Sequence, residues 1–185
     1  MLELAIGNLF LSKISNDDLD FLCRLECDQA LWHYEESVET DVNAVQKKYM
    51  QRIANEEKTQ NHDFIICLQQ DKRIEQIGLA QIWSYIDFRG SWEIGFAVLP
   101  EYSGKGYGRK AAKLLLKWGF EGLNAHKVVG MCNANNIPSS SLMEHIGMTR
   151  EGIFRKELMW HGQWTDQYYF SILEEEYVLK YNTHV

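Results

Sequence analysis

Gly104, Gly106 and Gly108 alternate with Lys105 and Tyr107 between a strand-like run and a helical one. Glycine permits a tight backbone path and lets N–H groups approach a ligand without interference from a Cβ. A helix opening at such a loop adds unpaired N–H groups and the positive end of its dipole. The combination suits a diphosphate, and Lys105 can add a charge-assisted contact. The unit is not specific by itself. The Walker A order Gly-x-x-x-x-Gly-Lys-Ser/Thr is absent, and Gly108 arrives one residue too early for the dinucleotide pattern Gly-x-Gly-x-x-Gly.

Two further groups of residues flank this loop. Upstream, Trp92-Glu93-Ile94-Gly95-Phe96-Ala97-Val98 places a carboxylate in an otherwise apolar strand. Glu93 there can be a structural carboxylate paired to a neighbouring strand. Downstream, Asn133-Ala134-Asn135-Asn136-Ile137-Pro138-Ser139 leads into Leu142-Met143-Glu144-His145-Ile146-Gly147-Met148. Beside Pro138, Ser139 reads as a helix cap, a role that can coexist with a chemical one.

The elements that must position these groups follow from periodicity. Residues 8–14 alternate as a first strand. Ser15-Asn16-Asp17-Asp18 then caps a helix with Leu19, Leu22, Cys23 and Leu25 on its buried face. A second helix is expected over 41–57, with Val42, Val45, Tyr49 and Ile53 inward. Residues 64–68, 77–85 and 91–98 read as strands, turning at 69–72 and 87–90, in an antiparallel meander. The apolar rows Ala111-Leu115-Trp118 and Ala112-Leu116-Phe120 predict a helix over 107–120, with Arg109, Lys113 and Lys117 as a basic row. That row either reaches a phosphate or is a solvated face. A strand over 127–132, a helix over 138–145 ending at Gly147, and strands over 152–160 and 163–173 around the turn His161-Gly162 complete an α/β pattern.

Composition limits the function classes. The 185 residues suit one domain, spanning 1–185 with its core from about 8 to 173; two prolines and no Gly/Ser-rich stretch leave no linker. A net charge of −7 speaks against nucleic-acid binding, which needs clustered cations. No apolar run is long enough to span a bilayer, and no signal-peptide pattern opens the chain. The four cysteines form no disulfide framework, so a reduced, cytoplasmic protein is expected. Cys23 and Cys27 lack partners for a metal site, Cys132 reads as a small core residue, and His-Glu-x-x-His is absent, so no metal is expected.

Together the three motifs resemble the GCN5-related N-acetyltransferase (GNAT) superfamily, whose loop reads Gln/Arg-x-x-Gly-x-Gly/Ala; Ser103 stands where the Gln or Arg is usual. Arg150-Glu151-Gly152-Ile153-Phe154-Arg155-Lys156, His161-Gly162 and Asp166 are similar to the C-terminal hairpin of its Rim-type branch, the ribosomal-protein N-terminal acetyltransferase-like enzymes. The resemblance implies a single α/β domain whose mixed, mostly antiparallel sheet splays into a V-shaped acetyl-CoA cleft flanked by helices. It implies acetyl transfer from acetyl-CoA to a primary amine by direct attack in a ternary complex. The cofactor contacts it implies are Phe96, Ala97, Val98, Ser103, Gly104, Lys105, Gly106, Tyr107, Gly108, Arg109, Asn136 and Ser139. Its catalytic candidates are Glu93 as base, with Glu157 as an alternative, and Ser139 as the donor to the leaving thiolate, since the family's helix tyrosine is missing from Ser140-Ser141-Leu142-Met143. The acceptor stays open between a protein N-terminus and small-molecule amines. Trp32, His33, Tyr34, Glu35, Glu36 and Glu39 either receive an ammonium or form an exposed loop. The last strands are either a homodimer surface or core. The competing function is a non-catalytic acyl-CoA sensor.

Overall fold

A computed structural model of the chain describes residues 3–55, 60–71 and 73–181. Among the described residues eight strands form one sheet: β1 (Ala5–Ile6), β2 (Leu9–Lys13), β3 (Asn61–Gln70), β4 (Arg73–Ile86), β5 (Ser91–Val98), β6 (Lys127–Asn133), β7 (Thr149–Trp160) and β8 (Gln163–Leu173). Their order is β1-β2-β3-β4-β5-β6-β8-β7, and every neighbouring pair is antiparallel except β5–β6. The helices are α1 (Leu19–Glu26), α2 (Val42–Ala54), α3 (Tyr107–Lys117), α4 (Ile137–His145) and α5 (Glu174–Tyr181).

The sheet is covered on both faces, which is why β3 carries a continuous buried run from Asp63 to Leu68 rather than an alternating one. On one face Leu22 and Leu25 of α1 and Val45 and Tyr49 of α2 pack against Ile65, Cys67 and Leu79. On the other, Ala111, Leu115 and Phe120 join Phe64, Ile66, Ile82 and Val128. Asp63, buried in β3, takes both oxygens to Arg52 of α2 at 2.9 and 3.1 Å and accepts a further bond from Gln81, fixing α2 on the sheet.

The differences from the sequence expectations have local causes. β3 and β4 run on to Gln70 and from Arg73, so the turn is tighter than 69–72 and Asp71 takes a φ of 48°; residue 72 lies outside the described residues. α2 ends at Ala54, and Val42 points outward at 52% exposure; of the expected extension to 57, residues 56–57 lie outside the described residues. α3 gives way at Trp118 to a π turn, Trp118–Gly122, where Gly119 passes so close to β6 that a Cβ would meet Val128 at 2.9 Å. α5 is not among the elements expected from the sequence, where Glu174-Glu175-Glu176 interrupts the apolar pattern. Those acids occupy its first turn, where they complement the helix dipole. Tyr177 then stacks on Phe120 at 4.7 Å and anchors the helix to the core.

Candidate active site

The sheet opens at one place. β5 and β6 pair only through Ser91–Lys127, Trp92–Val128 and Glu93–Val129. Beyond that rung β5 stays on β4 as far as Val98, and β6 stays on β8 as far as Asn133. The two halves of the sheet therefore diverge into a V. The backbone edges of Phe96, Ala97 and Val98 face the gap, able to pair with an extended, amide-bearing ligand as another strand would.

The glycine loop closes the end of this gap. Gly104 and Gly106 have φ values of 72° and 82°, the region that favours glycine, and a Cβ at either would meet nothing within 4 Å. Gly108 does something else: a Cβ there would stand 3.2 Å from Leu142, so it sets how closely α3 approaches α4. α2 and α4 have their first amides capped by the side chains of Asp41 and Asn136, whereas α3 starts at Gly106 without a side-chain cap. Its first-turn N–H groups at Tyr107, Gly108 and Arg109 are thus left for a ligand anion. Open strand edge, uncapped helix and glycine cradle together fit acetyl-CoA. Lys105 folds back, donating to the Glu101 carbonyl at 2.9 Å and lying over the Tyr102 ring, and Arg109 is exposed. Lys113 rests over the Tyr181 ring at 5.5 Å instead of standing free on a solvated row.

On the far wall, α4 begins one residue earlier than the sequence suggests. Asn136 is the cap, accepting from the Ser139 N–H at 3.1 Å, so Ser139 is the capped residue and its hydroxyl is released from that task. That hydroxyl reaches the thiol of Cys132 on β6; burial nonetheless pushes the thiol up to about 11, which makes Cys132 a poor nucleophile at neutral pH. Asn133, buried at the end of β6, accepts from the Asn135 N–H at 2.9 Å and donates to the Tyr34 carbonyl at 3.3 Å.

Glu93 sits at the last rung before the strands part. Burial pushes its carboxyl up to about 7; a hydrogen bond from Trp83 opposes the shift, and the charge of Glu35 adds to it. Trp83 stands directly across the β4–β5 pair. Sequence reasoning passed over this residue, although counting back through the 87–90 turn leads to its neighbourhood. Tyr169 of β8 lies beyond, 6.3 Å from Tyr85 and 5.7 Å from Phe154, its hydroxyl raised to about 12 chiefly by burial. Glu157 is exposed within the bulged stretch of β7, away from this group.

The segment between α1 and α2 is not a free loop. The indole N–H of Trp160 donates to the His33 carbonyl at 2.7 Å, and Glu36 accepts from the Met159 N–H at 2.7 Å. Tyr34 stacks on Trp160 at 5.8 Å. The Glu35 carboxyl is raised by the protein around it and by Glu36. A cavity of about 700 Å³ is lined by Phe10, Phe21, Cys67, Gln76, Glu101 and Tyr102 among others; it borders the contacts of Lys105 but contains none of the site residues named from the sequence.

Residues 8–149 match the family described as the Acetyltransferase (GNAT) domain. The chain belongs to the GNAT acetyltransferase family. The uncharacterized N-acetyltransferase p20 of Bacillus licheniformis is 30% identical over 181 residues, covering 96% of this chain and 99% of that protein. The uncharacterized N-acetyltransferase YnaD of Bacillus subtilis is 44% identical over 87 residues, and the match spans 47% of this chain and about half, 51%, of YnaD. Among solved structures, the spermidine N-acetyltransferase of Vibrio cholerae in complex with CoA and spermine superposes with a TM-score of 0.83 at 24% identity, covering 92% of this chain and 98% of that one. The mixed, mostly antiparallel sheet flanked by helices is thus the GNAT fold, and acetyl-CoA-dependent N-acetyl transfer is the family's chemistry. Among the described residues no helix is long and apolar enough to cross a membrane, and none group as a metal site.

Proposed function

We propose that this chain transfers an acetyl group from acetyl-CoA to a primary amine of a small cationic molecule, with Glu93 as general base. What carries this reading is the place of Glu93 at the last β5–β6 rung, where the V begins to open, with burial pushing its carboxyl up to about 7. A base poised there accepts a proton from an alkylammonium far better than an ordinary carboxylate does. A pure acyl-CoA sensor has no use for such a group.

Acetyl-CoA, when bound, supplies an acetyl thioester. The backbone of Phe96, Ala97 and Val98 would hold the pantetheine arm and polarise the thioester carbonyl. Ser103, Gly104, Lys105, Gly106, Tyr107, Gly108 and Arg109 would hold the diphosphate, mainly through backbone N–H groups. The NH2 of Asn136 is available to the arm because its oxygen is engaged in the cap. Glu93, directly or through water, takes one proton of the incoming ammonium. The free amine forms the new C–N bond as the C–S bond breaks, Ser139 gives its proton to the leaving sulfur, and the second proton shed by the nitrogen restores the Ser139 hydroxyl. The high thiol pKa of Cys132 supports direct attack over an acyl-cysteine route.

A small polycation is favoured over a protein N-terminus by Glu35 beside Glu93 and by the aromatic side chains of Trp83, Tyr85 and Tyr169 around them. The spermidine N-acetyltransferase of Vibrio cholerae, 25% identical over 174 residues, is consistent with that choice. One catalytic domain with its core over about 8–173 accounts for both the family match and the last strand. Four free thiols suit the cytoplasm, the location we propose. Exposed Ile153, Phe154 and Trp164 on the last two strands support pairing of two copies there. The test is thiol release from acetyl-CoA against a panel of spermidine, other diamines, aminoglycosides and N-terminal peptides. Turnover with the polyamines above all is expected; transfer to peptides alone overturns the acceptor assignment.

A further inference from the structure

The residues on either side of Glu35 are tied down, and tied to different elements. His33 is held through its carbonyl by Trp160, Tyr34 through its carbonyl by Asn133 of β6, and Glu36 through its carboxylate by the Met159 backbone of β7. The ring of Tyr34 is stacked on Trp160 at an interplanar angle of 22°, while His33 meets Trp160 edge-on at 5.5 Å and His161 at 5.1 Å. At its other end the segment is anchored by Asp28, whose side chain accepts from the N–H groups of Ala30 and Leu31, and by the Trp32 indole on the Leu25 carbonyl. A segment that would otherwise be a solvated acidic loop is therefore a strap, running from α1 to the tip of the β7–β8 hairpin and passing the open end of the V. Its one untethered carboxylate, Glu35, is close enough to the cleft for its charge to act on Glu93 from one wall and on Cys132 from the other.

We infer that Trp160 is a positioning residue for acceptor binding, latching the strap so that Glu35 faces Glu93 and receives the ammonium of the incoming amine. The assignment rests on the acetyl-transfer reading above but goes beyond it. It makes a residue at the hairpin tip, outside the cofactor cleft, a determinant of which amine is accepted. The latch has two separable parts. Trp160→Phe removes the hydrogen bond to His33 and keeps an aromatic ring for Tyr34; Trp160→Ala removes both. Other charged or titratable groups near the site are Tyr169 of β8, Tyr85 of β4, Lys127 of β6 and Glu151 of β7; the last two form an ion pair at 2.7 Å that leaves Glu35 as the strap's contribution.

The experiment compares wild type, Trp160→Phe, Glu35→Gln and the double variant in three measurements. These are steady-state kinetics with spermidine, calorimetric binding of spermidine to the CoA-loaded protein, and the titration of Glu93 followed by carboxyl-carbon NMR. The expected result is an increase of about tenfold in the KM and Kd for spermidine in either single variant, the effect of losing one charge-assisted contact. The KM for acetyl-CoA should stay unchanged. The Glu93 titration should move to lower pH in both single variants, and the double variant should be no worse than Glu35→Gln alone, because both changes act through the same carboxylate. Unchanged spermidine affinity in Trp160→Phe with wild-type turnover intact overturns the latch and leaves the acetyl-transfer reading standing. Additive losses in the double variant also overturn it. A wild type that acetylates no amine overturns the acetyl-transfer reading instead, and the NMR titration then decides the latch by itself: a Glu93 midpoint that does not move in Trp160→Phe refutes it.

Discussion

Glu93 and Val129 form the last rung of the parallel β5–β6 ladder, and one residue further on the two strands have parted. The half-buried carboxylate thus stands where the sheet stops satisfying its own backbone and a ligand can begin to do so. The cleft and the proton acceptor we propose at its edge both follow from one break in strand pairing.

The first prediction concerns the loop. Gly106 has a φ of 82° and caps α3 with its backbone, so Gly106→Val should introduce strain of roughly 1–2 kcal/mol and withdraw amides from the anion site. Calorimetry with acetyl-CoA should show affinity down by at least about tenfold. Gly162, in the hairpin turn with a φ of 74°, is the control: Gly162→Ala carries similar strain and should leave acetyl-CoA affinity alone.

Ser139 can be tested without disturbing its helix. Because Asn136 provides the cap and only the Ser139 N–H uses it, Ser139→Ala should melt close to wild type. Single-turnover measurement of acetyl transfer should nonetheless slow by about tenfold to a hundredfold, as expected for loss of a general acid. Wild-type rates would confine Ser139 to structure.

Asp63 carries a stability prediction. Its side chain is 3% exposed and accepts from one Arg52 nitrogen through both oxygens, so Asp63→Ala leaves a partly buried guanidinium and Gln81 without their acceptor. A loss of about 2–3 kcal/mol is expected in urea unfolding at neutral pH, below the full cost of a buried unpaired charge because Arg52 keeps some contact with water. Lys48–Glu26, whose lysine is 40% exposed, should cost far less when broken.

Glu93 also couples stability to pH. Its carboxyl is raised from 4.5 to about 7 on folding, so between those values the folded state holds a proton that the unfolded state has released. Stability contributed by the protonated form is complete below about 4.5 and is lost as pH rises through about 7. Glu93→Gln should therefore be more stable than wild type at pH 8, by on the order of 2 kcal/mol, and no different at pH 4. Thermal melts at the two pH values check the sign.

Much of the fold was legible because punctuation and period agree. β5 and β8 match their expected bounds, since Gly90, Pro100 and His161-Gly162 frame apolar runs. Gly104 and Gly106 were recognisable as turn glycines, and both take a positive φ; Gly108 was not distinguishable from them, because its role depends on Leu142, far along the chain. Glu93 was visible as a carboxylate in an apolar strand; its environment was not, because Glu35 lies 58 residues away in sequence and reaches it only through the strap. Trp160, at the end of β7, meets a backbone carbonyl 127 residues away, a contact that no local pattern shows. Local pattern exposes elements and loops, whereas a charge interaction between distant segments needs the tertiary arrangement.

The most direct test of Glu93 as the base is the pH dependence of kcat/KM for the acetylated amine in wild type and Glu93→Gln. Wild type should rise with unit slope through a midpoint near pH 7. In Glu93→Gln that limb should vanish and the rate fall about 10²- to 10³-fold, with acetyl-CoA affinity retained. A variant that keeps both the limb and the rate would contradict the assignment.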